Sequence, residues 1–204
     1  MLKNPNMVLA SGSPRRREFL KQLGYAFEVV CPGMEEKARE GESALDYVQR
    51  NACEKAGDVA ARVGVARVVV AADTVVVLDG RIMEKPASEA SARDMLRSLS
   101  GRTHQVVSGF CVRGPDVSGK DRVHTGVVST DVEFKTLSEE EMAAYIRSGE
   151  PMDKAGAYAI QGLASYMVRR IRGSYTNVVG FPLTELVEIL ETEFGIAPAF
   201  HPVG

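Results

Sequence analysis

The sequence predicts a mixed α/β fold with an elongated sheet, flanking helices and a central cleft. Segments typical of helices alternate with apolar segments typical of strands, and some strand-like segments also follow one another directly. An almost unbroken apolar segment at residues 67–78 is typical of a strand buried on both faces. No repeat or linker divides the chain, so we expect residues 1–204 to form one domain with two lobes around the cleft.

Each predicted strand is a short apolar segment bounded by turn residues. Asp79-Gly80 is a tight-turn signal that separates the long buried strand from a short partner. A loop of Gly, Pro, Asp and Ser separates two later β-rich segments. The strands are expected at residues 7–11, 27–31, 67–78, 81–83, 104–113 and 123–134, with short strands near 166–171.

Most of the predicted helices begin after a residue that can cap an N-terminus. Ser13 precedes Pro14, which suits the first helical position, and Gly24 ends that helix. Ser43 and Ser138 each have an acidic residue three positions on, as in a capping box. The remaining helices are expected at about residues 89–99 and 182–194, and the apolar stripe of the helix after Ser43 consists of Val48, Ala52, Val59 and Val63.

The composition disfavours several classes of protein. With 27 acidic and 25 basic residues the formal net charge is −2, which gives no reason to expect a nucleic-acid partner. No apolar segment approaches the length of a membrane helix, so we expect a cytoplasmic protein without a membrane partner. The cysteines and histidines are scattered, which fits a reducing compartment and gives little support for a zinc site.

Two arginines stand at the N-terminus of the first helix, in the segment SGSPRR that includes Ser11, Ser13, Arg15 and Arg16. The partial positive charge of a helix N-terminus disfavours arginines there. A bound phosphate would satisfy both side chains, the serine hydroxyls and the unpaired backbone N–H groups. The alternative is a solvated basic helix face paired with Glu18.

Asp73 interrupts the long apolar strand. A buried carboxylate without a partner costs several kcal/mol, so this residue needs a cation, a metal or access to a cleft. A functional acid is one interpretation. A bulge that turns the side chain to solvent, or a purely structural lysine partner, is the other.

Lys55 falls inside the apolar stripe of the helix that follows Ser43. It either extends along the stripe to solvent or reaches a cleft that holds negative charge. Glu36 and Lys85 indicate little alone, because charged loop residues are usually solvated. Residues 153–162, which include Gln161, suit either a backbone that approaches a ligand or an ordinary turn.

Taken together, these segments resemble the Maf family of nucleotide pyrophosphatases over nearly the whole chain. At the position of Gly33 many members have an acidic residue, whereas Glu36 is kept. The matching segments are LASGSPRRREFLKQLG, FEVV, QRNACEKA, AADTVVVLDGRIMEKP, LSGRTHQVVSG, DKAGAYAIQG and GSYTNVVGFPL.

The resemblance implies an elongated fold similar to inosine triphosphate pyrophosphatases. It also implies metal-dependent hydrolysis of a nucleoside triphosphate to the monophosphate and pyrophosphate. The DKAGAYAIQG segment resembles the branch that acts on dTTP and UTP. The implied roles are a triphosphate grip for Ser11, Ser13, Arg15 and Arg16, a place around the reacting phosphate for Glu36, Lys55, Asp73 and Lys85, and nucleotide choice for Arg15, Thr74 and Gln161.

Within that resemblance, Glu36 and Asp73 are the expected oxygen ligands of Mg²⁺ or Mn²⁺. Asp73 is the implied proton acceptor, and it acts either as the base or as a direct metal ligand. A second hypothesis is a nucleotide-binding regulator, because the family is also linked to inhibition of septum formation. Members often form dimers, so the resemblance allows a homodimer.

Overall fold

The computed structural model describes residues 6–64 and 66–200. The strands are β1 (Met7–Leu9), β2 (Phe27–Val29), β3 (Val68–Leu78), β4 (Arg81–Met83), β5 (Thr103–Pro115), β6 (Asp121–Phe134) and β7 (Val168–Arg172). The α-helices are α1 (Pro14–Gln22), α2 (Ala44–Val63), α3 (Glu89–Leu99), α4 (Glu139–Arg147), α5 (Tyr175–Val179) and α6 (Leu183–Phe194). Short 3₁₀ helices cover Glu150–Asp153, Ala155–Ala157 and Leu163–Met167.

The strands form a seven-stranded mixed sheet in the order β2-β1-β3-β5-β6-β7, with β4 paired to β3. β1 is parallel to both β2 and β3, with Met7 opposite Phe27 and Val68. β4 is antiparallel to β3, and β7 is antiparallel to β6. The predicted mixed α/β class is confirmed, whereas the elongated shape and the cleft stay predictions.

The chain divides into two compact units. Among the described residues, the first comprises 6–64, 66–73, 108–127 and 180–200, and the second comprises 74–107 and 128–179. The boundary falls inside β3, directly after Asp73. The expectation of one domain over 1–204 stays a prediction.

In the first unit, the apolar stripe of α2 packs on the sheet. Its buried core comprises Val8, Ala10, Ala52, Ala56, Val59, Val69, Ala71 and Cys111. β5 approaches the helix closely at Gly109, where an added Cβ would lie 2.4 Å from the backbone carbonyl of Val48. This glycine therefore brings α2 against the sheet.

In the second unit, α3 and α4 cover a core that includes Leu96, Leu99, Phe134 and Met167. The buried His104 ring lies edge-on to Phe134, and its Nε2 is 2.8 Å from the hydroxyl of Tyr158. Burial lowers the pKa of His104 to about 4, so this ring is neutral in the folded protein near neutral pH.

Most predicted boundaries of the helices and strands are confirmed. Local cap chemistry explains several of the helix starts. Ser138 and Glu141 form a reciprocal capping box, Ser43 accepts from the backbone N–H of Asp46, and α3 covers Glu89–Leu99 as expected. The expectation of short strands near 166–171 is partly wrong, since a 3₁₀ helix precedes the single strand β7. No helix in the described part of the chain is long and apolar enough to span a membrane.

Candidate active site

Asp73 and Lys55 form a buried ion pair in the first unit. Asp73 lies on β3 among apolar residues, and only 5% of its surface is exposed. Lys55 lies on the buried face of α2, and its Nζ is 2.7 Å from Oδ1 of Asp73. Lys55 therefore neutralises the carboxylate, and the alternative of a strand bulge that turns Asp73 to solvent is wrong.

Asn51 supplies the second hydrogen bond to the same carboxylate. It precedes Lys55 by four residues on α2, so both side chains leave the same face of the helix. Nδ2 of the fully buried Asn51 donates to Oδ2 of Asp73 at 3.0 Å. Both carboxylate oxygens are thus held by donors from one helix.

The pKa of Asp73 is lowered by this environment. Burial opposes the shift, because it favours the neutral acid. The charge and hydrogen bond of Lys55, the hydrogen bond of Asn51 and the charge of Arg16 together outweigh burial. Asp73 is therefore ionised at neutral pH.

Glu36 brings a second carboxylate to Lys55. It lies in the exposed loop between β2 and α2, and its Oε1 is 2.8 Å from Nζ of Lys55. Its side chain is 45% exposed, in contrast to 7% for Asp73. Two carboxylate groups therefore converge on one cation, one from the core and one from a solvent-accessible loop.

Arg16 ties the N-terminus of α1 to the strand that carries Asp73. Its Nη1 donates to the carbonyl of Ala72 at 2.7 Å and its Nε to the carbonyl of Gly180 at 2.8 Å. Burial lowers the pKa of Arg16, and the charges of Asp73 and Glu36 oppose that shift. The guanidinium is thus fixed beside the two carboxylates.

The start of α1 has donors that its own side chains do not satisfy. Ser13 is the N-cap and Pro14 the first helical residue, as predicted, but the Ser13 side chain makes no cap hydrogen bond. The Ser11 hydroxyl instead accepts from the backbone N–H of Ser13 at 3.1 Å. Nε of Arg15 is buried without a hydrogen-bond partner. This arrangement suits an anion, since anions bind at helix N-termini through such donors.

The alternative of a basic helix face paired with Glu18 is not what the structure shows. The Glu18 carboxylate accepts from Nε2 of Gln22 at 3.3 Å, within α1. Among the ion pairs of the described residues, none joins Glu18 to an arginine at the start of the helix.

Three of the predicted residues belong to the second unit. Thr74 follows Asp73 on β3 and is partly buried, whereas Lys85 after β4 and Gln161 before a 3₁₀ helix are exposed. Their participation in the site stays a prediction. The residues that the structure does bring together are Ser11, Ser13, Arg16, Glu36, Lys55 and Asp73.

Sequence reasoning missed Asn51 and the carbonyl groups of Ala72 and Gly180. Backbone acceptors leave no signal in a sequence. Asn51 does leave one, because an amide one helical turn before Lys55 on a buried face needs a polar partner.

The metal prediction fits the donor chemistry in part. Within residues 6–64 and 66–200, no cluster of three or more His, Cys, Asp and Glu side chains could hold a metal ion. Glu36 and Asp73 nonetheless direct carboxylate oxygens at one positive charge. Two carboxylates with remaining ligands from phosphate and water are typical of a magnesium site.

These features define a protein in which a helix N-terminus with arginines lies beside two carboxylates that share one lysine. A family profile described as Maf-like protein matches residues 6–193, and the chain belongs to this family.

The chain is also similar in sequence to curated enzymes. It is 52% identical to the dTTP/UTP pyrophosphatase of Vibrio cholerae over 90% of this chain and 96% of that protein. It is 50% identical to the dTTP/UTP pyrophosphatase of Geotalea uraniireducens over 93% of this chain and 96% of that protein. Among solved structures, a HAM1 protein from Coxiella burnetii matches with a TM-score of 0.44 and 16% identity, over 90% of this chain and 97% of that one.

Proposed function

We propose that this protein hydrolyses dTTP and UTP to the monophosphate and pyrophosphate. The observation that carries the proposal is the convergence of Asp73 and Glu36 on Lys55, next to the arginine-bearing start of α1. The family membership and the names of the relatives support the same reaction and the same nucleotides.

In the proposed reaction, water attacks the α-phosphorus and the bond from that phosphorus to the β-phosphate oxygen breaks. Asp73 accepts the proton of the water, and the leaving pyrophosphate takes up the negative charge. The N-terminus of α1, with Ser11, Ser13, Arg15 and Arg16, would hold phosphate oxygens. Positioning and charge neutralisation then lower the barrier.

Glu36 and Asp73 would also hold Mg²⁺ or Mn²⁺. Such an ion, when bound, lowers the pKa of a coordinated water and neutralises phosphate oxygens. The need for it follows from Asp73 itself, because a carboxylate with a lowered pKa is a weak base toward ordinary water. Asp73 is thus the base or a ligand in a given step, and Glu36 remains available for the other role.

Lys85 is proposed to neutralise phosphate oxygens, and Thr74 and Gln161, with Arg15, are proposed to select the pyrimidine nucleotide. We further propose that the protein acts on cytoplasmic nucleotide pools, without a nucleic-acid or membrane partner, and that a homodimer is one of its assemblies.

The deciding experiment incubates the protein with a panel of nucleoside triphosphates and Mg²⁺ or Mn²⁺ and separates the products by chromatography. We expect dTMP or UMP with pyrophosphate, and no turnover when EDTA removes the metal. A diphosphate with orthophosphate would contradict the proposed bond cleavage. Asp73→Asn is expected to abolish turnover while nucleotide binding, measured by calorimetry, persists.

The same variant separates the enzyme from a nucleotide-binding regulator of septum formation. A regulator needs the cationic grip but not the acid, so its effect on cell division would survive Asp73→Asn. An enzyme acting through turnover would lose that effect together with its activity.

A further inference from the structure

Arg50 links the two carboxylates of the candidate site without touching either of them. It lies on α2, directly before Asn51, and its side chain is 16% exposed. All five of its N–H donors have acceptors. The acceptors are both carboxylate oxygens of Glu42, the carbonyl of Lys37, Oδ1 of Asn51 and a carboxylate oxygen of Glu54.

One set of these bonds fixes the loop that carries Glu36. Nε and Nη2 of Arg50 donate to Glu42 at 2.6 and 2.7 Å, a bidentate pair across the end of the loop. Nη2 also donates to the carbonyl of Lys37 at 3.0 Å, and Lys37 directly follows Glu36. The Arg50 hydrogen bond lowers the pKa of Glu42 to about 2, so this carboxylate stays ionised.

A separate hydrogen bond from Arg50 fixes the Asn51 amide that holds Asp73. Nη1 of Arg50 donates to Oδ1 of Asn51 at 3.1 Å. With its oxygen facing the guanidinium, the amide of Asn51 must direct Nδ2 toward the Asp73 carboxylate. Arg50 therefore sets the orientation of the Asn51 side-chain amide.

We propose that Arg50 is a positioning residue that sets both carboxylates of the site, Asp73 through Asn51 and Glu36 through the loop anchored by Glu42. The inference rests on the proposed function in one respect, that these two carboxylates take part in turnover. Lysine cannot replace Arg50, because a single ammonium group cannot bridge all of these acceptors on the loop and on α2.

The test compares Arg50→Met and Arg50→Lys with wild type in steady-state kinetics on dTTP. Because Arg50 acts on the geometry of the acids and not on the substrate, kcat is expected to fall by about 10- to 100-fold with KM within about twofold of wild type. Glu42→Gln removes only the charge of the loop anchor, so the fall in kcat is expected to be smaller than in Arg50→Met. The double variant Arg50→Met with Glu42→Gln is expected to lose no more than Arg50→Met alone, since both changes break the same contact.

Arg39→Met is the matched control. Arg39 lies in the same loop and donates to the same Glu54, but among the described residues its side chain donates no hydrogen bond to Asn51 or Glu42 and acts on Glu42 through its charge alone. We expect wild-type kcat from this variant. An equal loss in Arg39→Met would overturn the inference, since it would show a general effect of charge.

Limited trypsin digestion gives a readout that needs no activity. Lys37 and Arg39 are cleavage sites inside the loop, so release of the anchor in Arg50→Met or Glu42→Gln is expected to speed cleavage there at least fivefold, while circular dichroism shows a folded chain. Unchanged cleavage in both variants would refute the loop anchor. Wild-type kcat in a folded Arg50→Met would refute the positioning role, and an inactive wild type would refute the proposed function alone.

Discussion

Replacing Lys55 with methionine is expected to destabilise the protein more than replacing Asp73 with asparagine. The side chains of the pair are each 7% exposed, so neither charge is well solvated. Lys55→Met leaves the Asp73 carboxylate buried with only the Asn51 amide and the charge of Arg16 to compensate. Asp73→Asn leaves Lys55 paired with Glu36, whose side chain is partly exposed.

The magnitudes follow from the burial of the remaining charge. Removal of one partner from a buried ion pair costs about 3–5 kcal/mol of folding free energy. Because Asp73 keeps some of its contacts, the cost of Lys55→Met is expected at the lower end, about 3 kcal/mol. Asp73→Asn retains a compensated lysine and is expected to cost about 1 kcal/mol. For a chain of 204 residues, about 3 kcal/mol corresponds to a fall in Tm of about 6–12 °C.

Urea unfolding followed by far-ultraviolet circular dichroism measures both values, since the chain has no tryptophan for fluorescence. EDTA in every sample removes metal binding as a variable. The double variant Lys55→Met with Asp73→Asn serves as the control, and it is expected to be more stable than Lys55→Met because no uncompensated charge remains.

The pH dependence supplies a second measurement with a definite sign. In wild type the lowered pKa of Asp73 contributes stability above its ordinary value of 3.8, and this contribution is lost as pH falls through the folded-state pKa. In Lys55→Met the Asp73 carboxylate loses its main compensating charge, so its pKa is expected to rise and the cost of the substitution to shrink between pH 7 and pH 5. A cost below about 1 kcal/mol at pH 7, or one that grows with acid, would refute this reasoning.

Two further predictions concern the cores of the two units. His104→Phe is expected to lower stability at pH 7, because the Tyr158 hydroxyl loses its partner, but to flatten the decline between pH 6.5 and 4. In wild type that decline in stability reaches about 3 kcal/mol, since the unfolded state takes up a proton that the buried ring does not. If urea titrations show an equally steep decline in His104→Phe, this account of the pH dependence is wrong. Gly109→Ala is expected to cost about 1–3 kcal/mol of stability, because its Cβ would meet the backbone of Val48. Gly57→Ala is the matched control: its Cβ would lie 3.9 Å from Nη1 of Arg113, and the change is expected to stabilise α2 by about 0.5–1 kcal/mol. Thermal unfolding of the pair checks this, and a stable Gly109→Ala would contradict the tight packing.

Local chemistry explains which elements could be predicted from the sequence. Capping signals at Ser43 and Ser138 and the turn at Asp79-Gly80 act within a few residues, so the boundaries they set are readable. α5 (Tyr175–Val179) was not predicted, because five residues are too few to show a helical period. The 3₁₀ helix Leu163–Met167 was missed for the same reason.

The candidate site could be predicted as a set of unusual residues but not as a set of contacts. A carboxylate in an apolar strand and a lysine in an apolar stripe each require a partner, yet the sequence left the place of Lys55 open. Lys55 and Asp73 are 18 positions apart, and only the packing of α2 on β3 makes them neighbours. An amide on the buried face of α2 requires a polar partner, but the sequence does not show that the partner of Asn51 is the second carboxylate oxygen of Asp73.

The charges of the first unit also explain why the proposed reaction needs more than the residues gathered there. Lys55 is already shared by two carboxylates, and Arg16 donates to backbone carbonyl groups. A nucleoside triphosphate adds several negative charges, which these compensated cations cannot balance alone. In the proposed site, the further positive charge would come from a divalent ion on Glu36 and Asp73 and from residues such as Lys85. Under the proposed function, the acids offset these cations until substrate and metal bind, so the ion pairs that stabilise the fold would also hold the cations in place for an anion.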